Sequence, residues 1–350
     1  MAAPTFPVYD TATLIQVVPN LKLAQNFLLD SFFPNEAVAE TEEIAIDVDV
    51  GKRRLAPFVS PLVEGKIVEG RRIQTNVFKP AYIKDKRALD LRRPIRRMIG
   101  ERIGGQLSPS ERYMANVQFE MADAVDMINR RLEWMAAQAL ATGTVTVQGE
   151  GFPTALVDFG RDPSLTLALS GTAQWGQSGV SPSWNIQEWQ NQVLKLSGAK
   201  CTDLVFTPSA WQYFIADPVV QKAYWYPGNG GPNSVDVGAR IDEGAVDMGR
   251  WGQYRLWIYN DWYVDPITDI ETPMIPDGTV IMCGKQLMGT RAFGVILDPA
   301  FAYGPLPYAP KMWVEQDPAQ TLVLVQSAPL VIPSRVNACF AATVCAPVLT

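Results

Sequence analysis

Apolar positions along this chain change period several times, and each change marks an element. From Glu43 to Val50, Ile44, Ile46, Val48 and Val50 alternate with Glu43, Ala45, Asp47 and Asp49, the period of a half-buried strand. Upstream, Pro4, Pro7, Pro19 and Pro34 interrupt an arm in which only Leu21 to Phe33 suits a short amphipathic helix. Phe58 to Gly65 and Arg72 to Pro80 predict two strands turning near Gly70. This stretch is too poor in large apolar residues to close a core, and a long hairpin lying on something else is expected.

The clearest helix opens at Ser108. Ser108-Pro109-Ser110-Glu111 combines an N-cap serine, a proline at the first helical position and a glutamate at the third, a capping box. Met114, Val117, Met121, Val125, Ile128, Leu132, Met135 and Ala139 follow at spacings of three and four, and Gly143 stands where a C-terminal cap belongs. Such a helix is roughly 50 Å long, enough to cross a domain. It is a spine.

Beyond it, Thr144 to Phe159 has strand character, and Asp162 to Ser183 is a connection. Helices are predicted over Trp184 to Leu196 and Pro208 to Ala223, with a buried strand at Asp203 to Thr207 between them. Pro227 to Asn233 is a Gly/Pro loop. Arg255 to Asn260, Trp262 to Asp265 and Thr279 to Cys283 are strands, and an acidic tip from Asp265 to Asp277 separates the last two. Thr321 to Val344 reads as successive apolar strands, expected to pair with those after the spine.

Charge divides this map. The 350 residues carry a net −6, yet Lys52 to Arg102 holds 15 Lys or Arg against 5 Asp or Glu, a net +10. The remainder has 15 basic and 31 acidic residues, a net −16. Between Asp30 and Val50 stand Asp30, Glu36, Glu40, Glu42, Glu43, Asp47 and Asp49, with no basic residue. The basic stretch fits nucleic-acid phosphates, a solvated face, or an anionic surface on a neighbouring copy. The third suits the whole chain best, because the acidic remainder repels a polyanion.

Candidate chemistry is sparse. There is no histidine, which removes the commonest general base and zinc ligand. Cys201, Cys283, Cys339 and Cys345 form no CxxC pair and read as buried thiols in a reducing compartment. Gly284-Lys285 lacks the rest of a phosphate cradle, and Asp47-Val-Asp49-Val-Gly51 is only half of a calcium loop. Asp242/Glu243 and Asp261/Asp265 leave a His-free acid hydrolase as a distant alternative. No catalytic, cofactor or metal site is expected. No basic region followed by an apolar stretch opens the chain, and no apolar run is of membrane-spanning length, so cytosolic synthesis away from membranes is expected. Hydrophobic content of 47% supports real cores, while 19% charged and 10% aromatic residues suit a surface largely covered by partners.

The order of parts resembles the α+β Hong Kong 97-type capsid fold, and within it the lambda-type major head protein family of tailed bacteriophages. The resemblance rests on Phe58-Val-Ser-Pro-Leu-Val-Glu-Gly65, Phe78-Lys-Pro-Ala-Tyr-Ile-Lys84, Val157-Asp-Phe-Gly-Arg161, Val205-Phe-Thr-Pro208 with Trp211, and Gln326-Ser-Ala-Pro-Leu330, in that order. It implies an arm over 1–51, an extended loop over 52–92, and a peripheral domain over 93–184 with its spine helix at 108–142. An axial domain would span 185–310, and strands of 311–350 would complete the peripheral domain.

It further implies a non-enzymatic major capsid protein whose hexamers and pentamers tile an icosahedral head around double-stranded DNA, without sequence-specific contacts. A separate scaffolding protein and a portal protein are implied partners, a trimeric decoration protein is a candidate, and the virion is the implied location. A protein-enclosing nanocompartment shell of the same fold is the alternative. Charge segregation nominates one contact between copies. Its basic side is Lys66, Arg71, Arg72, Lys79, Lys84, Lys86, Arg87, Arg92, Arg93, Arg96 and Arg97, and its acidic side Glu36, Glu40, Glu42, Glu43, Asp47 and Asp49.

Overall fold

A computed structural model of the chain describes residues 26–49, 58–62, 64–65, 73–89, 108–149, 152–224, 240–242, 245–317 and 319–347. The arm forms α1 (Phe27–Phe32), β1 (Asn35–Val38) and β2 (Ile44–Asp49), followed by β3 (Ile73–Phe78), β4 (Ile83–Ala88) and the 34-residue α2 (Pro109–Thr142). At the start of α2 the Ser108 hydroxyl accepts from the Glu111 N–H. The Glu111 carboxylate accepts from the Ser108 N–H at 2.6 Å, so the capping box forms in full. At the other end Gly143 takes φ 76° and donates to the Ala139 carbonyl at 3.0 Å. A Cβ there would lie 2.7 Å from Cβ of Arg161, so both the conformation and the space require glycine.

Next come β5 (Thr144–Gly149), β6 (Phe152–Asp158), β7 (Thr166–Ala168), α3 (Pro182–Ser197), β8 (Asp203–Phe206), α4 (Pro208–Ile215) and α5 (Pro218–Tyr224). The strands β9 (Arg240–Asp242), β10 (Ala245–Trp251), β11 (Tyr254–Tyr259), β12 (Trp262–Val264), β13 (Glu271–Pro273) and β14 (Thr279–Cys283) follow. The chain continues through β15 (Gly289–Phe293), β16 (Ala309–Gln316), β17 (Ala319–Ser327), β18 (Pro329–Pro333) and β19 (Phe340–Thr343).

Seven strands form a central mixed sheet in the order β7-β19-β14-β8-β11-β10-β9. Alternation along β14 assigns its faces. Val280 and Met282 join Phe206, Trp211, Phe214, Trp189 and Phe340 in a core roofed by α3 and α4. Ile281 and Cys283 join Leu132, Met135, Ala136, Ala139 and Leu140 of α2 in a second core. The first half of α2 instead buries Tyr113, Val117, Met121, Val125 and Ile128 against Met312, Val323 and Val325 of the sheet β16-β17-β4. One rod thus serves two cores in succession.

Three expectations change. The strands of Thr321 to Val344 do not pair with β5 and β6, which satisfy each other as a hairpin. They distribute instead over three sheets: β17 joins β16 and β4, β18 joins β15, and β19 inserts between β14 and β7. Phe58 to Gly65 is not a strand where described, since Pro61 lacks a ladder donor and Gly65 weakens one. Its expected partner β3 pairs with β2, from Ile44 opposite Phe78 to Asp49 opposite Ile73, so a two-stranded ribbon crosses the 51/52 boundary. Finally, residues 83–88, expected in the extended loop, are a sheet strand paired with β17. The Pro227 to Asn233 loop lies outside the described residues.

Candidate intersubunit surface

The arm is fastened to its own chain at both ends of α1. Phe27, Leu28, Leu29 and Phe32 are buried, with the Phe27 ring 4.6 Å from that of Trp257. The first N–H groups of a helix have no internal acceptor. Here Leu28 and Leu29 donate theirs to the two oxygens of Glu133 on α2, at 2.9 and 2.8 Å. The Tyr259 hydroxyl on β11 donates to the same carboxylate at 2.9 Å. Glu133 is 1% exposed. Burial pushes its pKa up to about 7, while the three donors pull it down.

At the far end, Arg291 on β15 donates to the carbonyls of Phe33, at 2.8 Å, and Leu29, at 3.3 Å, and pairs with Asp30 and Glu36. Sequence reasoning passed over Glu133. The available signal was a carboxylate on the buried stripe of the spine, in line with Asn129, Ala136 and Leu140.

The nominated charges divide three ways. Some are engaged within the chain: Lys79 pairs with Glu42, both about half exposed, and Glu36 with Arg291. Arg87 lies beneath carboxylates of Asp85, Glu120 and Asp123, with its side chain 17% exposed. As a sheet strand β4 carries Arg87 onto α2, so this residue is committed to its own fold and leaves the candidate contact. Others remain outward. Lys84 and Lys86 are exposed, resting over the rings of Tyr82 and Trp313, and Glu40 and Glu43 are exposed. Asp47 and Asp49 lie on β2. Lys66, Arg71, Arg72, Arg92, Arg93, Arg96 and Arg97 lie outside the described residues.

Uncovered apolar surface marks the same region. Phe58 and Leu62 are fully exposed between the two ribbon strands in sequence. At the ribbon's root a cleft of about 260 Å³ is lined by Glu42, Lys79, Tyr82, Lys84, Val295 and Leu297. The β12–β13 hairpin exposes Trp262, Val264, Ile267 and Ile270. Apolar groups of this size left in water are characteristic of surfaces that partners cover. All four cysteines are buried and unpaired. Among the described residues, no helix is long and apolar enough to cross a membrane, and no three His, Cys, Asp or Glu are grouped to hold a metal.

Two solved structures share this arrangement. A prophage capsid protein of Escherichia coli CFT073 superposes with a TM-score of 0.76, covering 97% of this chain and 100% of its own at 19% identity. The capsid of Ralstonia phage GP4 gives 0.50 over 100% of this chain and 96% of its own at 12% identity. The fold is the Hong Kong 97-type capsid fold. In sequence, residues 10–344 match the family described as Phage major capsid protein E. The major capsid proteins of Escherichia phage N15 and Escherichia phage lambda are each 28% identical over 331 residues, 93% of this chain and 96% of theirs. The chain belongs to the phage major capsid protein E family.

Proposed function

We propose that this chain is the major capsid protein of a tailed phage, acting mechanically rather than catalytically, as hexamers and pentamers of an icosahedral head in the virion. The family match over residues 10–344 carries the reading. The exposed Phe58 and Leu62 support it physically, since a second copy can cover what the described residues of one chain leave in water. In this shell the β2–β3 ribbon and the chain between its strands overlap an adjacent subunit. Residues 185–310 gather at the capsomer centre as the axial domain. Residues 93–184, with the α2 spine, and 311–350 form the peripheral domain.

Double-stranded DNA fills the head without base-specific contacts. A separate scaffolding protein, a portal protein and a trimeric decoration protein are the proposed partners. Lys66, Arg71, Arg72, Lys84, Lys86, Arg92, Arg93, Arg96 and Arg97 form the basic side of the contact, and Glu40, Glu43, Asp47 and Asp49 the acidic side. Complementary charge of this kind sets register and speeds docking more than it adds affinity.

Electron microscopy of the purified protein is expected to reveal closed shells. A small oligomer as the end state would refute the reading. Nuclease-protected DNA within particles from infected cells is the outcome expected of a phage head, and enclosed protein without DNA that of a nanocompartment. Arg71→Glu with Arg72→Glu is expected to block assembly, and normal shells from that variant would remove the charge pairing while leaving the shell itself standing.

A further inference from the structure

Two of the four thiols face each other across the central sheet. Val344 donates its N–H to the Gly278 carbonyl at 2.7 Å, which makes 278 and 344 a hydrogen-bonded pair of the antiparallel β14–β19 ladder. The register runs from Thr279 opposite Thr343 to Met282 opposite Phe340. One step further sets Cys283 opposite Cys339. Hydrogen-bonded and open pairs alternate along such a ladder, so 283/339 is an open pair, where Cα atoms are roughly 4.5 Å apart and side chains are closest. That spacing falls within the range of roughly 4.4–6.8 Å that a disulfide spans. The faces agree, for both sulfurs lie in the core shared with α2, beside Ile281 and Ala341.

Arg161 gives this pair its asymmetry. Its terminal nitrogens donate to the carbonyls of Ala139, Leu140 and Ala141 at the end of α2, while its buried Nε–H has no acceptor of its own. Burial pushes the Cys339 thiol up. The neighbouring Cys283 thiol and the Arg161 guanidinium outweigh burial and hold Cys339 below the usual thiol range. Cys283 is pushed the other way, chiefly by burial. Both thiols are fully buried in the folded chain.

We propose that Cys283 and Cys339 form an oxidation site, a cross-strand dithiol that a small peroxide closes to a disulfide inside the folded subunit. The Cys339 thiolate attacks a peroxide oxygen. An S–O bond forms, the O–O bond breaks, and the departing hydroxide takes a proton to become water. Cys283 sulfur then attacks the sulfenic acid. The S–S bond forms, the S–O bond breaks, and hydroxide leaves as a second water with the Cys283 proton. Two thiols are oxidised and one hydrogen peroxide is reduced. The product pins β19 to β14 without linking subunits.

The test treats the folded full chain with dilute hydrogen peroxide, blocks remaining thiols with N-ethylmaleimide under denaturing conditions, and maps peptides without reduction. The expected product joins Cys283 to Cys339, two hydrogens lighter than the reduced pair, with Cys201 and Cys345 still blocked as free thiols. Oxidised protein should melt several degrees higher than reduced. Cys345→Ala should retain the link and Cys339→Ala lose it. The map of the unmodified chain decides the matter even where a variant fails to fold. Full blocking of Cys283 and Cys339 after a dose that oxidises exposed Met114 and Met127, or a random mixture of pairings including Cys201, would overturn the proposal.

Discussion

The arm from Asn26 to Val38 and the ribbon of β2 and β3 are neighbours in sequence and opposites in how they are held. The arm spends its apolar side chains on its own chain, with Phe27, Leu28, Leu29 and Phe32 buried, a carboxylate at one end and a guanidinium at the other. The ribbon has a complete ladder to its partner strand but leads to Phe58 and Leu62, which the described residues do not cover. Backbone hydrogen bonds alone do not bury apolar surface, and a two-stranded ribbon is marginal in water without something to lie on. The arm is therefore a component of the subunit, and in the proposed shell the ribbon is a component of the assembly.

Separate losses should follow. Phe58→Ser with Leu62→Ser removes apolar groups that already face solvent, so the subunit's melting temperature should stay close to that of the parent, as for surface substitutions within about 0.5 kcal/mol. Shell formation, read by sedimentation, should be abolished. Normal shells from this variant would break the contrast at once.

Glu133→Ala acts on the other region. It strands two backbone N–H groups and the Tyr259 hydroxyl in a buried site, at a cost of about 3 kcal/mol in chemical denaturation. Hydrogen exchange at Leu28 and Leu29 should accelerate with it. Unchanged stability would mean that the arm does not depend on this carboxylate.

The same residue carries a pH signature. Its folded pKa of about 7 lies above the ordinary value of 4.5, so between these values the folded state binds more protons than the unfolded one. Stability from this group is complete below about pH 4.5 and is lost as pH rises through about 7, by roughly 2–4 kcal/mol. Glu133→Gln should flatten that part of the melting curve against pH. A parallel slope in both proteins would place the titration elsewhere.

How much of this was legible beforehand follows the range of the interactions. The spine was readable because its cap, its apolar stripe and its terminal glycine all lie within 36 consecutive residues, Ser108 to Gly143. The central strands were readable from short apolar runs. Strand partners were not. Whether β19 joins β5 or inserts between β14 and β7 depends on contacts far apart in sequence, and no local pattern distinguishes one buried apolar strand from another. Charge was legible as composition but not as pairing. Arg87 reads like its basic neighbours until β4 turns it onto Glu120 and Asp123. Glu133 was hidden for the converse reason, as one acid among 36 whose role appears only when α1 arrives.

The smallest expected effect tests whether the arm and the sheet of β4 are separable along the rod that carries both. Ser108 caps the end of α2 whose following turns support β4 and its sheet, whereas Glu133 and the arm lie near the opposite end. Ser108→Ala removes one acceptor for the Glu111 N–H at an exposed helix terminus, worth about 1 kcal/mol. Because helix ends fray locally, exchange should accelerate over the first turn of α2, including Glu111 and Arg112, while Leu28 and Leu29 remain as protected as in the parent. Were protection lost equally at both sites, α2 would transmit a disturbance along its whole length. The arm and the β4 sheet would then be one mechanical unit instead of two.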